Sequence, residues 1–192
     1  DFVKQIFTAS THDTILFFTN KGKLYKLKGY EIPEAGRTAK GTAIVNLLSL
    51  DAGEKVSAVI PIQNFAEGKY LLMATKKGLI KKTALTEYNS ARTTGLQGIT
   101  LKDDDELITV RLTDGQDNVV LVTREGMCIT FDEKDVRPIG RVAQGVIGIR
   151  LSEDDEVIGM ESVIAGGRAT LLAITENGFG KRTELDEYRV QI

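Results

Sequence analysis

The stretch Leu71-Leu72-Met73-Ala74-Thr75-Lys76-Lys77-Gly78-Leu79-Ile80-Lys81-Lys82-Thr83 carries the architecture, because its parts recur along the chain. A short apolar run, a Thr-x-x-Gly turn and a second short run also occur at Ile15–Phe18 with Thr19-Asn20-Lys21-Gly22. They return at Val119–Val122 with Thr123-Arg124-Glu125-Gly126, and at Leu171–Ile174 with Thr175-Glu176-Asn177-Gly178. The four glycines are 56, 48 and 52 residues apart (78−22, 126−78, 178−126). Short β-branched apolar runs read as buried strands, and the glycine between two of them supplies the positive φ that a tight hairpin loop needs. One such hairpin occurs in any β protein; four at near-constant spacing predict a repeat architecture.

The period extends outward from the turn. Nine residues after each glycine stands an acid: Glu31, Glu87, Asp135 and Glu187. Fourteen or fifteen residues after the first three glycines stands an arginine (Arg37, Arg92, Arg141), followed by a loop glycine (Gly41, Gly98, Gly145). A β-like run comes next, at 43–48, 99–101 and 146–151. Acidic turns follow at Asp51–Glu54, Asp103–Glu106 and Glu153–Glu156, and lead into final strands at 55–60, 107–112 and 157–163. About four short strands per unit is the content of one blade in a radial β array. The predicted fold is therefore all-β and propeller-like, one array over 1–192 with units 1–61, 62–112, 113–164 and 165–192. Residues 1–11 are expected to add a strand to a blade. The fourth unit stops at Ile192, fourteen residues after Gly178, where its arginine–glycine loop is due, so the ring is expected to be incomplete.

Composition narrows the function classes. No stretch approaches the ~18 apolar residues of a membrane helix, and Asp1 and Lys4 flank too short an apolar patch for a signal peptide. A single cysteine, Cys128, rules out an internal disulfide and fits a reducing cytoplasm. With one histidine and one cysteine, a zinc site or a Ser/His/Asp or Cys/His catalytic set is not credible. His12 reads as a surface or turn residue and Cys128 as a buried thiol in an apolar strand. Gly36-Arg37-Thr38-Ala39-Lys40-Gly41-Thr42 resembles half a phosphate-binding loop but lacks the Lys-Ser/Thr pair after the second glycine. The acidic turns match no EF-hand and read as solvated turns. No metal, cofactor or catalytic residue is expected.

A net charge of −2 excludes a uniformly basic surface, so the placement of the charges matters more than their sum. The cations collect at and after each hairpin turn and in the loop that follows. The candidate DNA-binding residues are Lys21, Lys26, Arg37 and Lys40 in the first unit, and Lys76, Lys77, Lys81, Lys82 and Arg92 in the second. The third contributes Arg124, Arg137 and Arg141, and the fourth Lys181, Arg182 and Arg189. The acids occupy a different turn of the unit. Repetition around a ring predicts a basic stripe and a separate acidic zone, and such a stripe neutralises phosphates without reading bases. Lysines that blunt strand edges are the competing explanation, yet the arginine recurs in a loop, where no edge needs blunting.

Tyr30–Gly41, Ala74–Thr83, Gly145–Leu151 and Asn177–Thr183 leading to Glu187-Tyr188-Arg189 resemble the C-terminal domain of the bacterial DNA gyrase A protein, and the likeness spans essentially the whole chain. The resemblance implies a β-pinwheel, a propeller-like ring whose blades exchange strands. It implies a non-catalytic module that wraps duplex DNA without sequence preference around a basic outer rim. It further implies partnership with the rest of the gyrase A protein and with the gyrase B protein in the bacterial cytoplasm, at the nucleoid. ATP and Mg²⁺ would then be used elsewhere in the enzyme for negative supercoiling, and none of Tyr25, Tyr30, Tyr70, Tyr88 or Tyr188 would be the breakage tyrosine. The family's basic glycine-rich box (Gln-Arg-Arg-Gly-Gly-Lys-Gly) is not in this sequence and is expected just before Asp1. The corresponding domain of topoisomerase IV is the alternative, and a protein-interaction propeller a more distant one, since a chain without tryptophan cannot carry a WD signature.

Overall fold

The computed structural model describes residues 3, 5–90, 92–188 and 190. In the first unit the chain forms β1 (Thr14–Thr19), β2 (Lys23–Lys28) and β3 (Val56–Ile62). In the second it forms β4 (Tyr70–Thr75), β5 (Leu79–Ala84), β6 (Leu96–Gln97) and β7 (Leu107–Thr113). In the third it forms β8 (Asp117–Thr123), β9 (Cys128–Asp132), β10 (Val146–Ile147) and β11 (Val157–Ile164), and in the fourth β12 (Thr170–Ile174) and β13 (Gly180–Glu184). Every helical segment among the described residues is a short 3-10 turn. Among the described residues no helix is long and apolar enough to cross a membrane.

Each Thr-x-x-Gly turn closes an antiparallel hairpin, β1–β2, β4–β5, β8–β9 and β12–β13. The unit's last strand returns antiparallel to its first, as β3 on β1, β7 on β4 and β11 on β8. The remaining short strand leaves its own unit. β6 of the second unit pairs with β2 of the first, and β10 of the third with β5 of the second, giving sheet orders β3-β1-β2-β6 and β10-β5-β4-β7. The neighbouring backbone completes the exchange: Gly98 and Ile99 N–H donate to the Gly22 carbonyl at 2.8 and 3.3 Å, and Gly148 and Ile149 N–H to the Gly78 carbonyl at 2.9 and 3.2 Å.

Sheets stack face to face, so β4 is buried between two sheets, and β1 between the second sheet and the segment around Leu48. That is why β1 and β4 read as continuous apolar runs rather than alternating ones. Leu16, Phe18 and Leu24 of the first sheet pack against Leu71, Met73, Leu85, Tyr88 and Val110 of the second. Leu72, Ala74 and Ile80 on the second sheet's other face pack against Val119, Leu121, Phe131 and Met160 of the third. The exchanged segments seal these layers, with Ile99 in the first and Ile149 and Leu151 at the second.

Three expectations change. The run 43–48 is not a strand: Ile44–Asn46 is a 3-10 turn, and Leu48 packs on Ile15, Phe17 and Tyr25. Among the described residues no hairpin strand pairs with this segment as β2 pairs with β6. The run 99–101 is not a strand, the pairing falling just before it at Leu96–Gln97, and 146–151 pairs only at Val146–Ile147, because Ile99, Ile149 and Leu151 turn inward to the core. The described residues before Thr14 form no strand; Asp1, Phe2 and Lys4 lie outside the described residues.

Gly78 has φ +85°, and a Cβ there would stand 2.6 Å from the Ile149 carbonyl oxygen, whereas Gly126 has φ +81° with nothing within 4 Å. Both replacements by alanine carry left-handed strain of about 1 kcal/mol, but only Gly78→Ala also pushes the exchanged segment away. Gly78→Ala is expected to cost about 3 kcal/mol in urea unfolding and Gly126→Ala about 1 kcal/mol; equal losses would separate the hairpin glycine from the exchange.

Candidate nucleic-acid interface

The hairpin tips do not form a basic stripe apart from the acids. Because the last strand of each unit starts beside the hairpin's Thr (Thr19 opposite Val56, Thr75 opposite Leu107), the acidic turn before it lies against the tip. Lys21 Nζ donates to the Ala52 carbonyl at 2.7 Å and Lys77 Nζ to the Asp103 carbonyl at 3.0 Å. Lys23 pairs with Asp51, and Lys76 and Arg124 share Glu156 at 3.1 and 2.6 Å across two units. The Lys77 and Glu125 amides donate to Asp105 and Asp155 at 2.9 and 3.1 Å. In the first unit Glu54 takes this place inside the fold, accepting from Thr19 Oγ1 at 2.6 Å, Tyr25 Oη at 2.9 Å and the Asp51 amide at 2.8 Å. Burial raises the Glu54 carboxyl, but these hydrogen bonds outweigh it and hold the group below its ordinary value. Burial and the same carboxylate push Tyr25 up to about 12. The expected separation of acidic and basic zones therefore fails at Lys21, Lys76, Lys77 and Arg124.

A second correction concerns Lys26, Lys81 and Lys82, which are buried. These residues lie on β2 and β5, sandwiched between sheets and covered by the next unit's loop. Lys26 Nζ donates to the Tyr88 and Ser90 carbonyls at 3.2 and 2.5 Å and sits 5.5 Å from the Phe65 ring centroid. Burial lowers its pKa, with repulsion from Arg141 adding to the effect. Lys81 is fully buried and donates to the Gly98 carbonyl at 2.6 Å and to the Arg141 carbonyl. Lys82 Nζ donates to the Glu133 carbonyl at 3.0 Å, lies 3.9 Å from the Glu133 carboxylate and rests 4.7 Å from the Tyr70 ring centroid. Glu133, itself fully buried, also accepts from Thr113 Oγ1 at 2.7 Å and the Asp117 amide at 3.0 Å. All three ammonium groups tie a strand of one unit to the following unit's 3-10 turn or loop, and none faces solvent.

The loops after the 3-10 turns hold the open positive charge. Arg37, Lys40, Arg92 and Arg137 are exposed and Arg141 is half-buried. Among the described residues none of the five is ion-paired with a carboxylate. The second and third units' loops then cross onto the preceding hairpin: Lys26 N–H donates to the Thr93 carbonyl at 2.7 Å, and Ile139 N–H to the Lys82 carbonyl at 2.9 Å. Arg92 Nε donates to the Thr94 carbonyl at 2.8 Å, and Arg141 reaches the Gln97 carbonyl of the preceding loop. Lys181 and Arg182 are exposed on β13; Arg189 lies outside the described residues. Lys102 and Arg150 are a pair the sequence reading missed. Both are exposed, and both stand 24 residues after their hairpin glycine (102−78, 150−126), so the constant offset was the available signal. His12 is exposed, and the half-buried free thiol of Cys128 is pushed up by burial.

Hairpin sheets stacked face to face and laced together by exchanged strands define a β-pinwheel. The sequence model of the family described as DNA gyrase C-terminal domain, beta-propeller, matches residues 13–63, 69–114, 117–164 and 169–191. The chain belongs to this family. The DNA gyrase A protein of Staphylococcus aureus (strain NCTC 8325 / PS 47) is 46% identical over 191 residues, 99% of this chain and 22% of that protein, so the chain spans about a fifth of the length of such relatives. Among solved structures, a C-terminal domain of DNA topoisomerase IV is 34% identical with TM-score 0.86, covering 94% of this chain and 56% of that one. A DNA gyrase A C-terminal domain is 28% identical with TM-score 0.79, covering 96% of this chain and 58% of that one.

Removing Lys82 would leave the Glu133 carboxylate buried without its cation. Lys82→Met is expected to cost about 3 kcal/mol, while Lys76→Met, at the exposed Glu156 cluster, costs at most about 1 kcal/mol. Thermal denaturation checks the contrast; a neutral Lys82→Met would assign the buried lysines no clasping role.

Proposed function

We propose that the chain is the DNA-wrapping module of a gyrase A protein, bending duplex DNA across its outer loops in support of ATP-dependent negative supercoiling. The observation that carries this reading is the sorting of the cations. Those at the hairpin tips are compensated by the acidic turns and those on the central strands are buried. Arg37, Lys40, Arg92, Arg137 and Arg141 remain on successive loops without a carboxylate partner among the described residues. Guanidinium groups spaced along stacked units suit the phosphate backbone, whose neutralisation provides affinity without sequence preference. Bending a short site costs roughly 1–6 kcal/mol, which contacts from several units together must offset. Lys181 and Arg182 would extend the track, and Arg189 belongs to it by sequence alone.

The remaining parts of this reading concern the longer protein. The rest of the gyrase A protein and the gyrase B protein would be its partners, ATP and Mg²⁺ would act there, and the setting would be the bacterial cytoplasm at the nucleoid. The topoisomerase IV reading draws on the 34% likeness to that enzyme's C-terminal domain, but 46% identity to gyrase A over nearly the whole chain favours gyrase.

Salt-dependent binding tests the proposal. Affinity for a mixed-sequence duplex is expected to fall steeply with salt, and Arg37→Gln combined with Arg137→Gln to reduce the log–log slope by about two without changing the melting temperature. Salt-independent binding, or an unchanged slope in the double variant, would contradict it.

A further inference from the structure

Lys81 is the most deeply buried of the three lysines, and its carbonyl partners come from the loops of two different units. Its ammonium is fully buried on β5, and no carboxylate among the described residues pairs with it. It bonds instead to two carbonyl oxygens, Gly98 of the second unit's arginine loop and Arg141 of the third's. These two loops are laced together around it. Arg141 reaches the Gln97 carbonyl, Thr100 Oγ1 donates to the Val142 carbonyl at 2.6 Å, and Thr100 N–H donates to the Ala143 carbonyl at 3.2 Å. Tyr88 Oη shares the Gly98 carbonyl at 3.0 Å, and its ring centroid lies 6.0 Å from the ammonium.

Resting on the DNA-binding reading above, we propose that Lys81 is a positioning residue for phosphate engagement: its buried cation clamps the Arg92 and Arg141 loops of two successive units together, and DNA bound across them takes up a proton at Lys81. The charged or titratable groups facing it are Arg141 from the third unit's loop, and Glu87 and Tyr88 from the second unit's 3-10 turn; Lys26 on β2 lies under the same Arg141 field. Burial first, and Arg141 second, lower Lys81 to about 7, against a weaker opposing pull from Glu87. Phosphates held by Arg141 and Arg92 would offset that guanidinium repulsion and favour the charged amine. A charged Lys81 in turn donates stronger hydrogen bonds to the two loop carbonyls, so phosphate binding and loop clamping support each other.

The linkage gives two opposite signs. In the free chain the folded-state pKa lies below the unfolded one, so between about 7 and the ordinary lysine range the unfolded chain binds more protons and stability rises with pH; the cost of burying the charge is present in full below about 7, where both states are protonated, and is relieved as pH rises from there through the ordinary lysine range. DNA affinity moves the other way across neutrality, because polyanion binding favours the protonated form. A lysine that served the fold alone would leave DNA binding without a linked proton.

The test is calorimetric titration of the chain with a mixed-sequence duplex at constant ionic strength, across roughly pH 6 to 8.5, in buffers of different ionisation enthalpy. Proton uptake on binding is expected near neutrality, with affinity falling roughly three- to tenfold over that range. Lys81→Met should flatten the profile, and His12→Gln, at the single, exposed histidine, should leave it intact. If Lys81→Met does not fold, the proton count on the unaltered chain decides alone. DNA binding with no proton uptake, or an uptake removed by His12→Gln, overturns the proposal and leaves the DNA reading standing. No DNA binding at any pH overturns both.

Discussion

The structure depends on one backbone contact made twice: the carbonyl of a hairpin glycine accepts two consecutive amides from the following unit. Gly22 receives Gly98 and Ile99, and Gly78 receives Gly148 and Ile149. A two-residue strand is too short to hold a sheet edge by its ladder alone, and these extra bonds anchor it. The same contact delivers Ile99, and then Ile149 and Leu151, to the layers between sheets; full apolar burial stabilises Ile99 by about 1.5–3 kcal/mol, and the half-buried Ile149 and Leu151 contribute less. The exchange thereby closes the hydrophobic core and orients the arginine loops, which immediately precede the crossing strands.

Electrostatics follow from this topology. A chain with almost balanced charge still presents cations selectively, because antiparallel return of the last strand brings each acidic turn to its own hairpin tip. Tip lysines and arginines are thus paired or bonded to carbonyls, and exposed pairs of this kind add little stability, about 0–1 kcal/mol. Covering β2 and β5 with loops then buries Lys26, Lys81 and Lys82, whose ammonium groups are satisfied by carbonyls of those loops and of the 3-10 turns. What stays open is the loop charge.

Local features were legible in the sequence and tertiary ones were not. Thr-x-x-Gly and its spacing disclosed all four hairpins, since a turn needing positive φ leaves a mark that repeats. The run 146–151 looked like one strand, yet only Val146 and Ile147 pair while Ile149 and Leu151 turn into the core, a division set by the neighbouring sheet rather than by propensity. Likewise 43–48 has strand-like residues but packs Leu48 on the outer face of the first sheet. Burial of Lys81 and Lys82 was hidden because two adjacent lysines beside a turn look the same whether a strand edge is bare or covered. The partners of the tip cations lie well onward in the chain, at positions such as Ala52, Asp103 and Glu156, beyond any local pattern.

If the exchanged contact governs the fold, the amides of Gly98, Ile99, Gly148 and Ile149 belong to the global unfolding unit. Native-state hydrogen exchange measures this directly. The account predicts opening free energies for these four amides equal to those of the central strand β4, with the same dependence on denaturant. Exchange of the four by local fraying, faster than β4 and independent of denaturant, would contradict it.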